Sequence, residues 1–431
     1  MNGTLRVTRW VAAAGMGLAL AACAPSEPAT TTEEPTPDSV AETPAGPPER
    51  DADADLVIWA DDARGQVLQP FLDEFAAENG ITAVVQTVND NGRDSFITAT
   101  LAGNGPDLVV GAHDWIGKFV ENGVIAPVPM SETMQADFLP NAIQAATSGG
   151  SIYGVPYAVE NIGLIRNTDL APDAPVTVEA MLTLGNDLVA AGTASRPMVM
   201  PCGLEGDPYH AEPFITSAGG YIFGRDANGD YDPADLGLAG PGGAAAAAKL
   251  AWMTEQGALS TSITFNEALD LFVRGETPFL VTGPWATGDI AEAGINYAVS
   301  EIPPFEGGQA ARPFLGVQLF YVSSKAVNAA FAQEFALNYV SRPDVQRALF
   351  EASGRPPALA SLNAEISASD PEVQAWSAAG ANGDPMPSIP EMDSVWGPLG
   401  IAIANIASGQ GDPAQIMSDA ASAITAATAG D

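Results

Sequence analysis

The sequence predicts an α/β fold that begins with a parallel sheet. Short apolar runs, which indicate buried strands, alternate with longer segments whose apolar residues recur every three or four positions, as in amphipathic helices. Asn-Gly and Gly-Pro dipeptides separate several of these segments. Strands and helices that alternate along the chain are typical of a parallel sheet with right-handed crossovers.

The alternation is clearest over residues 56–110. In chain order the predicted elements are a strand at Leu56–Trp59, a helix at Val67–Glu78, a strand at Ala83–Val88, a helix at Asp94–Ala102 and a strand at Asp107–Val110. Ligands of such sheets bind beyond the carboxyl ends of the strands. Asp61, Arg64 and Asp114 follow two of these strands, so we expect them near a ligand. A helix cap is the alternative role for Asp61.

The rest of the chain continues the mixture of strands and helices. Gly220–Tyr231 predicts a β-hairpin around an Asn-Gly turn. A calcium loop is disfavoured there, because its twelfth position is Gly237 rather than glutamate. The other predicted elements are helices at Ala244–Thr254, Phe265–Val273, Ala329–Tyr339 and Pro413–Ala427, and a strand at Phe279–Thr282.

Composition and charge exclude several classes of function. The 431 residues carry 53 acidic and 16 basic side chains, a net charge of −37, so the chain repels the phosphates of nucleic acids. With two histidines, two cysteines and no CxxC pair, no metal or cofactor is expected. The absence of GxSxG, HExxH and phosphate-loop motifs argues against an enzyme. The acidic excess has two open explanations, adaptation to high salt and simple solubilisation.

The amino terminus predicts an export signal followed by a membrane anchor. A basic start precedes the apolar run Val11–Ala22, which is too short to span a bilayer, so residues 1–22 are expected to be a signal peptide. Leu20-Ala-Ala-Cys23 resembles a bacterial lipobox, which implies cleavage before Cys23 and a diacylglyceryl group on its sulfur. An ordinary signal peptide with an incidental cysteine is the alternative. If Cys23 carries lipid, Cys202 is expected to be a buried free thiol.

Residues 23–54 are predicted to be a lipidated, disordered tether. Proline, threonine, alanine and acidic residues dominate the segment, and large apolar side chains are nearly absent. Such a segment cannot bury enough surface to fold. The protein is therefore expected outside the cytoplasm and attached to the cell membrane by its lipid, with the folded part starting at residue 55.

Seven short motifs point to a known family. In chain order they are Leu56-Val-Ile-Trp59, Gly105-Pro-Asp107, Ala112-His-Asp114, Ala158-Val-Glu160, Gly219-Gly-Tyr221, Gly283-Pro-Trp285 and Met386-Pro-Ser-Ile-Pro390. With these motifs in register, the chain resembles the maltose- and maltodextrin-binding proteins of bacterial ABC importers. The similarity runs from about Leu56 to Ala423, which is essentially the whole folded part.

The resemblance implies the two-lobed, hinged fold of the periplasmic binding proteins, a Venus flytrap that closes on its ligand. The family also implies a monomer. The chain is expected to cross between the lobes three times, near Ala158–Asn161, Gly316–Phe320 and Asp370-Pro371. Lobe one then comprises residues 55–159 and 318–369, and lobe two comprises residues 160–317 and 370–431.

The resemblance also implies a sugar site. Carboxylates and arginines bind sugar hydroxyls through charge-assisted hydrogen bonds, and aromatic rings cover the apolar face of a sugar. Trp285 and Trp396 match stacking positions of the family, whereas His113 is expected to make structural hydrogen bonds. A place in the core is the alternative for each aromatic residue. The matching cleft positions are Asp61, Arg64, Asp114, Glu160, Asp207, Tyr209, Phe265, Trp285, Met386 and Trp396.

Four positions depart from the family pattern and indicate a different preference among glycans. The family has a stacking tryptophan, an acidic residue, an aromatic residue and an arginine where this chain has Gly111, Ala63, Glu212 and Gly400. Trp115 and Tyr157 are the candidates to supply the missing aromatic stacking.

The implied function is the capture of an α-linked oligosaccharide, such as a maltodextrin, without chemistry. The ligand is then delivered to the permease subunits of an ABC importer. Two other functions stay open. A secreted glycosidase needs paired carboxylates, whose separation a sequence does not reveal. A surface sensor or adhesin can use the same fold.

Overall fold

Strands and helices of the computed structural model are described for residues 48–89, 92–227 and 229–429. The predicted signal peptide, Cys23 and most of the predicted tether lie outside these residues. The strands are β1 Leu56–Ala60, β2 Ala83–Thr87, β3 Leu108–Ala112, β4 Ile125–Ala126, β5 Thr147–Ser148, β6 Ser151–Ile152, β7 Gly154–Asn161, β8 Gly163–Asn167, β9 Phe223–Arg225, β10 Tyr231–Leu236, β11 Phe279–Thr282, β12 Tyr297–Ser300, β13 Phe314–Ser323 and β14 Asp384–Pro385.

Helices connect and flank the strands. They are α1 Asp62–Asn79, α2 Gly92–Ala102, α3 Trp115–Glu121, α4 Glu132–Gln135, α5 Pro140–Ala145, α6 Val178–Ala190, α7 Pro208–Ser217, α8 Pro241–Glu255, α9 Phe265–Val273, α10 Thr287–Glu292, α11 Ala329–Glu334, α12 Pro343–Ser353, α13 Ala360–Ser369, α14 Pro371–Ala379, α15 Asp393–Ala407 and α16 Pro413–Thr428. Short 3₁₀ turns lie at Gly237–Ala239, Pro284–Ala286 and Pro390–Met392, and a π-helical turn follows α11 at Phe335–Tyr339.

The larger sheet is mixed rather than wholly parallel. Its strand order is β14-β13-β3-β1-β2, and β4 and β7 also pair with β13. The predicted parallel start is confirmed, since β1 pairs in parallel with both β2 and β3. The long strand β13 then lies antiparallel to β3 and β7. A second sheet, in the order β11-β8-β12, is antiparallel.

The buried apolar side chains form separate groups. The first core draws its residues from the ranges 56–158 and 317–373. The second core draws its residues from the ranges 162–314 and 386–424. A smaller group contains Ile165, Phe272 and Trp376, and Trp285 packs against both this group and the second core. β13 and α14 therefore each contribute side chains to two of these groups, and β7 ends where the second core begins.

Most predicted elements are confirmed, and α1 shows why one boundary differs. The helix begins at Asp62 rather than at Val67, because Asp61 caps it. The Asp61 carboxylate accepts a hydrogen bond from the Arg64 amide at 2.9 Å, which satisfies an otherwise unpaired donor of the first turn. The predicted hairpin is confirmed by the antiparallel pair β9–β10. The predicted helix at Ala329–Tyr339 is α11 followed by the π-helical turn.

The last part of the predicted tether is held on the larger sheet. Arg50 forms a 2.7 Å ion pair with Asp107, whose side chain is fully buried. The same Asp107 oxygen accepts a hydrogen bond from the Val57 amide at 2.8 Å. Gln86 donates a hydrogen bond to the carbonyl of Glu49 at 3.0 Å. The folded part thus begins at about Glu49 rather than at residue 55, because one buried carboxylate anchors the chain before β1.

Candidate functional site

A chain of hydrogen bonds starts where β1 ends. The guanidinium of Arg64 donates to the Asp61 carboxylate at 2.7 Å and to the Gln318 side chain at 3.0 Å. Burial opposes ionisation of Asp61, but the nearby Arg64 guanidinium outweighs it and lowers the pKa of the carboxyl below its ordinary value. Arg64 also donates to the hydroxyl of Tyr157 at 3.2 Å. Two predicted site residues, Asp61 and Arg64, are therefore in direct contact.

The same chain continues into a buried ion pair. The amide of Gln318 donates to one oxygen of Glu160 at 2.7 Å, and Arg355 donates to the other oxygen. Only 8% of the Glu160 side chain is exposed. Burial lowers the pKa of Arg355, but the nearby carboxylate of Glu160 outweighs burial, so that the pKa of Arg355 is above its ordinary value. A carboxylate enclosed in this way is stable because each of its oxygens has a donor.

Aromatic rings surround the Arg355 end of this chain. The Arg355 guanidinium lies 5.2 Å from the ring centroid of Trp285. Tyr209 lies 6.3 Å from Trp285 and is stacked on Phe314 at 6.2 Å. Phe314 in turn contacts Trp396 edge-on at 6.3 Å. The predicted residues Tyr209, Trp285 and Trp396 thus form one half-buried aromatic cluster.

Glycines make room for two of the tryptophan rings. A Cβ on Gly283 would lie 2.1 Å from the ring of Trp285. A Cβ on Gly111 would lie 2.0 Å from the ring of Trp115. Trp115 therefore fills the space over Gly111, and its stacking on a ligand stays a prediction. The Tyr157 ring is 1% exposed and packs on Phe320, so Tyr157 does not offer a face for stacking.

Asp207 serves its own helix. It caps α7, and its two carboxylate oxygens accept from the amide and from the imidazole of His210 at 3.0 and 2.7 Å. Burial opposes ionisation of Asp207, but His210 outweighs it and lowers the pKa of the carboxyl. Asp207 therefore positions Tyr209 and His210, which lie in the first turn of the helix.

Within the described residues, several buried polar atoms of predicted site residues and of His210 have no hydrogen-bond partner. They are Oδ1 of Asp114, Oη of Tyr209 and Nε2 of His210. The Tyr209 phenol has a pKa well above its ordinary value because of burial, and the charges of Glu160 and Asp114 add to the shift. An unpaired buried polar group is costly, so these atoms are suited to a ligand that supplies hydroxyl groups.

Asp114 is the most perturbed of the predicted carboxylates. Burial raises the pKa of Asp114 to about 7, even though Arg93 opposes the shift. A carboxyl that is easier to protonate when folded stabilises the protein at low pH, and this stability is lost as the pH rises towards the folded pKa.

Replacing Asp114 should therefore flatten part of the pH dependence of stability. We expect the free energy of unfolding of the wild type to fall by about 2 kcal/mol relative to Asp114→Asn between about pH 5 and pH 7. Urea unfolding of both proteins across this range measures the difference. A difference that does not change with pH would mean that Asp114 stays ionised in the folded protein.

A cavity of about 360 Å³ adjoins Asp61 and Arg64. Trp59, Trp115 and Arg93 also line it. Its walls therefore combine indole rings with two carboxylates, of Asp61 and Asp94, and two guanidinium groups. This combination is typical of pockets that bind polar molecules with an apolar face.

Comparison with known proteins gives the family. The sequence profile described as bacterial extracellular solute-binding protein matches residues 71–381. The chain belongs to the bacterial extracellular solute-binding proteins. This assignment agrees with the family predicted from the seven motifs.

Several relatives of this solute-binding protein carry names that state a ligand. The galactooligosaccharide-binding protein of Bacillus subtilis is 27% identical over 95% of this chain and 94% of its own length. The maltotriose-binding protein of Pyrococcus abyssi is 27% identical over 81% of this chain and 77% of its own. A maltooligosaccharide ABC transporter solute-binding lipoprotein of Streptococcus pneumoniae is 24% identical over 86% of this chain and 88% of its own.

Two predicted site residues of the solute-binding protein lie apart from the contacts above. Met386 is 5% exposed and belongs to the second core, while its carbonyl oxygen lies 2.9 Å from Nε2 of His113. Phe265 begins α9, and no hydrogen bond or ring contact within the described residues joins it to the cluster. His113 is fully buried and also accepts from the Val317 amide at 3.1 Å, which confirms its structural role.

Sequence reasoning missed Arg355, Gln318 and Phe314. Gln318 and Phe314 lie in or next to an apolar run that the sequence marks only as a hinge crossing. Arg355 stands between a glycine and two prolines, which is a weak sign of a fixed loop position.

Glu212, one of the four positions that depart from the family pattern, is buried, and burial raises the pKa of its carboxyl well above the ordinary value. Cys202 is confirmed as a buried free thiol, and burial raises its pKa to about 12.

Within the described residues, no helix has both the length and the apolar character needed to cross a bilayer.

Proposed function

We propose that this solute-binding protein captures an α-linked oligosaccharide, maltodextrin-like in its linkage, between two lobes. It then presents the sugar to the permease subunits of an ABC importer. The observation that carries the proposal is the set of unpaired buried polar atoms on Asp114, Tyr209 and His210, of which the last two belong to rings that contact Trp285. Sugar hydroxyls supply the missing partners, and the apolar face of a sugar suits the rings.

The proposed lobes are those predicted from the sequence, residues 55–159 with 318–369 and residues 160–317 with 370–431. Their support is the separate packing of the first and second cores. The polar chain takes residues from both lobes, and the aromatic cluster lies in the second. Arg64 and Tyr157 belong to the first proposed lobe, whereas Tyr209 and Trp285 belong to the second. Closure on a ligand would bring these two sets around it.

The choice of sugar rests on the relatives' names and on the site. Two of the three relatives described above are named for malto-oligosaccharides and one for galacto-oligosaccharides. Both series are neutral chains of hexoses, and the polar groups and aromatic rings of the site suit either series. We favour the maltodextrin series because the predicted stacking positions Trp285 and Trp396 are both present.

Calorimetric titration with a panel of sugars tests the proposal. The panel contains maltose, maltotriose, maltotetraose, the corresponding galacto-oligosaccharides, trehalose, a cyclodextrin and glucose. We expect one-to-one binding of at least one malto-oligosaccharide, with tighter binding than glucose. Binding to galacto-oligosaccharides alone would replace the maltodextrin series by the galacto-oligosaccharide series as the ligand. Binding to no sugar of the panel would contradict the proposed function. Cleavage products after incubation with maltotriose would favour a glycosidase instead.

The proposal extends to the location of the protein. We propose that Cys23 carries a lipid, which tethers the protein at the outer face of the cell membrane. We also propose that the protein works as a monomer. The lipobox-like residues before Cys23 support this, as does a relative named as a lipoprotein. Cys23→Ala should release the protein from washed membranes into the soluble fraction. Retention of the variant on membranes would contradict lipid anchoring.

A further inference from the structure

An ion pair joins the two cores next to Asp114. Arg93, near the start of α2, contacts Asp393, the first residue of α15, with 2.5 Å between Nη1 and Oδ1. Lys118 on α3 lies 3.8 Å from the other oxygen of Asp393. The buried residues of α2 and α3 belong to the first core, and those of α15 belong to the second. The pair therefore ties the two cores together at this point.

The ion pair stands beside the predicted sugar contacts. Arg93 lines the cavity of about 360 Å³ together with Asp61, Arg64 and Trp115. Asp393 precedes Trp396 by three residues on α15, so the two side chains lie on the same side of the helix. A sugar chain that extends from Trp396 towards Trp115 would meet the pair.

The backbones of the two cores also approach each other closely near the ion pair's helices α3 and α15. A Cβ on Gly117 of α3 would lie 2.5 Å from the carbonyl carbon of Ile389, just before the turn that leads into α15. Close approach of this kind allows only glycine at the position. The two cores therefore also touch directly at α3, the helix that carries Lys118.

We propose that the Arg93–Asp393 ion pair forms one end wall of the sugar site and limits the length of the oligosaccharide that the protein retains. The inference rests on the proposed function and adds a determinant of ligand length to it. A contact of 2.5 Å leaves no room for a sugar ring between the two side chains. A longer ligand must separate the charges and lose the pair, whereas a short ligand leaves it intact.

Dissociation constants for ligands of increasing length test this wall. Calorimetry with maltose, maltotriose and maltotetraose, or with the galacto-oligosaccharide series if the wild type binds that one, is performed on the wild type, Arg93→Ala, Asp393→Ala and the double variant. We expect the Kd for the tetrasaccharide, divided by the Kd for the disaccharide, to fall about three- to tenfold in each single variant. The double variant should match the single variants, because all three lose the same contact.

A matched control variant, and outcomes that separate the end wall from the proposed function, complete the test. Arg274→Ala removes an ion pair with Asp270 on α9, with 49% and 68% of the two side chains exposed, and should leave the ratio unchanged. If the ratio is unchanged in both Arg93→Ala and Asp393→Ala, and circular dichroism shows that both variants are folded, the end-wall proposal is wrong and the proposed function still stands. Effects that add in the double variant also overturn the end-wall proposal. A wild type that binds no saccharide removes the proposed function and the wall together.

Discussion

Trp285→Ala should weaken the binding of the preferred oligosaccharide by roughly 5- to 150-fold, which corresponds to about 1–3 kcal/mol of binding free energy. The indole contacts Tyr209 and His210 and lies under the Arg355 guanidinium, so it is held in one orientation. A rigid ring loses little entropy on binding and covers a large apolar area. Calorimetry on the wild type and the variant measures the change.

A second tryptophan provides the control. Trp252 packs against Phe305 and next to Lys249 in the second core, and among the described residues no ring contact joins it to the cluster around Trp285. Trp252→Ala should leave the dissociation constant unchanged, even if it lowers the melting temperature. Equal affinities of the wild type and Trp285→Ala would take Trp285 out of the site.

Arg355→Ala should lower the free energy of unfolding by about 3–5 kcal/mol, because it leaves the Glu160 carboxylate buried with one donor removed. Gln318 remains as the donor to the other oxygen. The loss of the guanidinium also uncovers the ring of Trp285. Urea unfolding at neutral pH measures the difference.

Two comparisons separate charge burial from a general loss of packing. The double variant Glu160→Gln with Arg355→Met should recover much of the lost stability, because the buried charge has gone as well. Arg347→Ala breaks a pair with Glu365 in which 39% and 68% of the side chains are exposed, so it should cost less than about 1 kcal/mol. If Arg355→Ala costs no more than Arg347→Ala, Glu160 does not depend on this partner.

Local patterns predicted many elements because the signals lie within each element. The helix Phe265–Val273 and the strand Phe279–Thr282 have the predicted bounds. Thr264 and Glu267 explain the first of these, since they form a capping box at the start of α9. Asp61 shows the limit of this reasoning. A cap and a ligand contact were both open for it, and the structure shows the cap together with a contact to Arg64.

Distant contacts account for what local patterns did not predict. Glu160 and Arg355 are 195 positions apart, and Arg64 and Gln318 are 254 apart. The register of β13 against β7 brings Gln318 to Glu160, and a bridge between Ala158 and Pro357 holds the Arg355 loop beside β7. That register depends on packing across the whole sheet rather than on the preferences of nearby residues.

Sequence patterns were enough to predict the family, the acidic character of the chain, the alternating elements of the first half and the residue types available for a sugar. Motifs and periodicity determine these properties because they are written into neighbouring positions. Only the folded structure shows that Met386 packs in a core and that Arg355 encloses Glu160. Each of these outcomes depends on which side chains are buried together, and burial sets the cost of every unpaired charge.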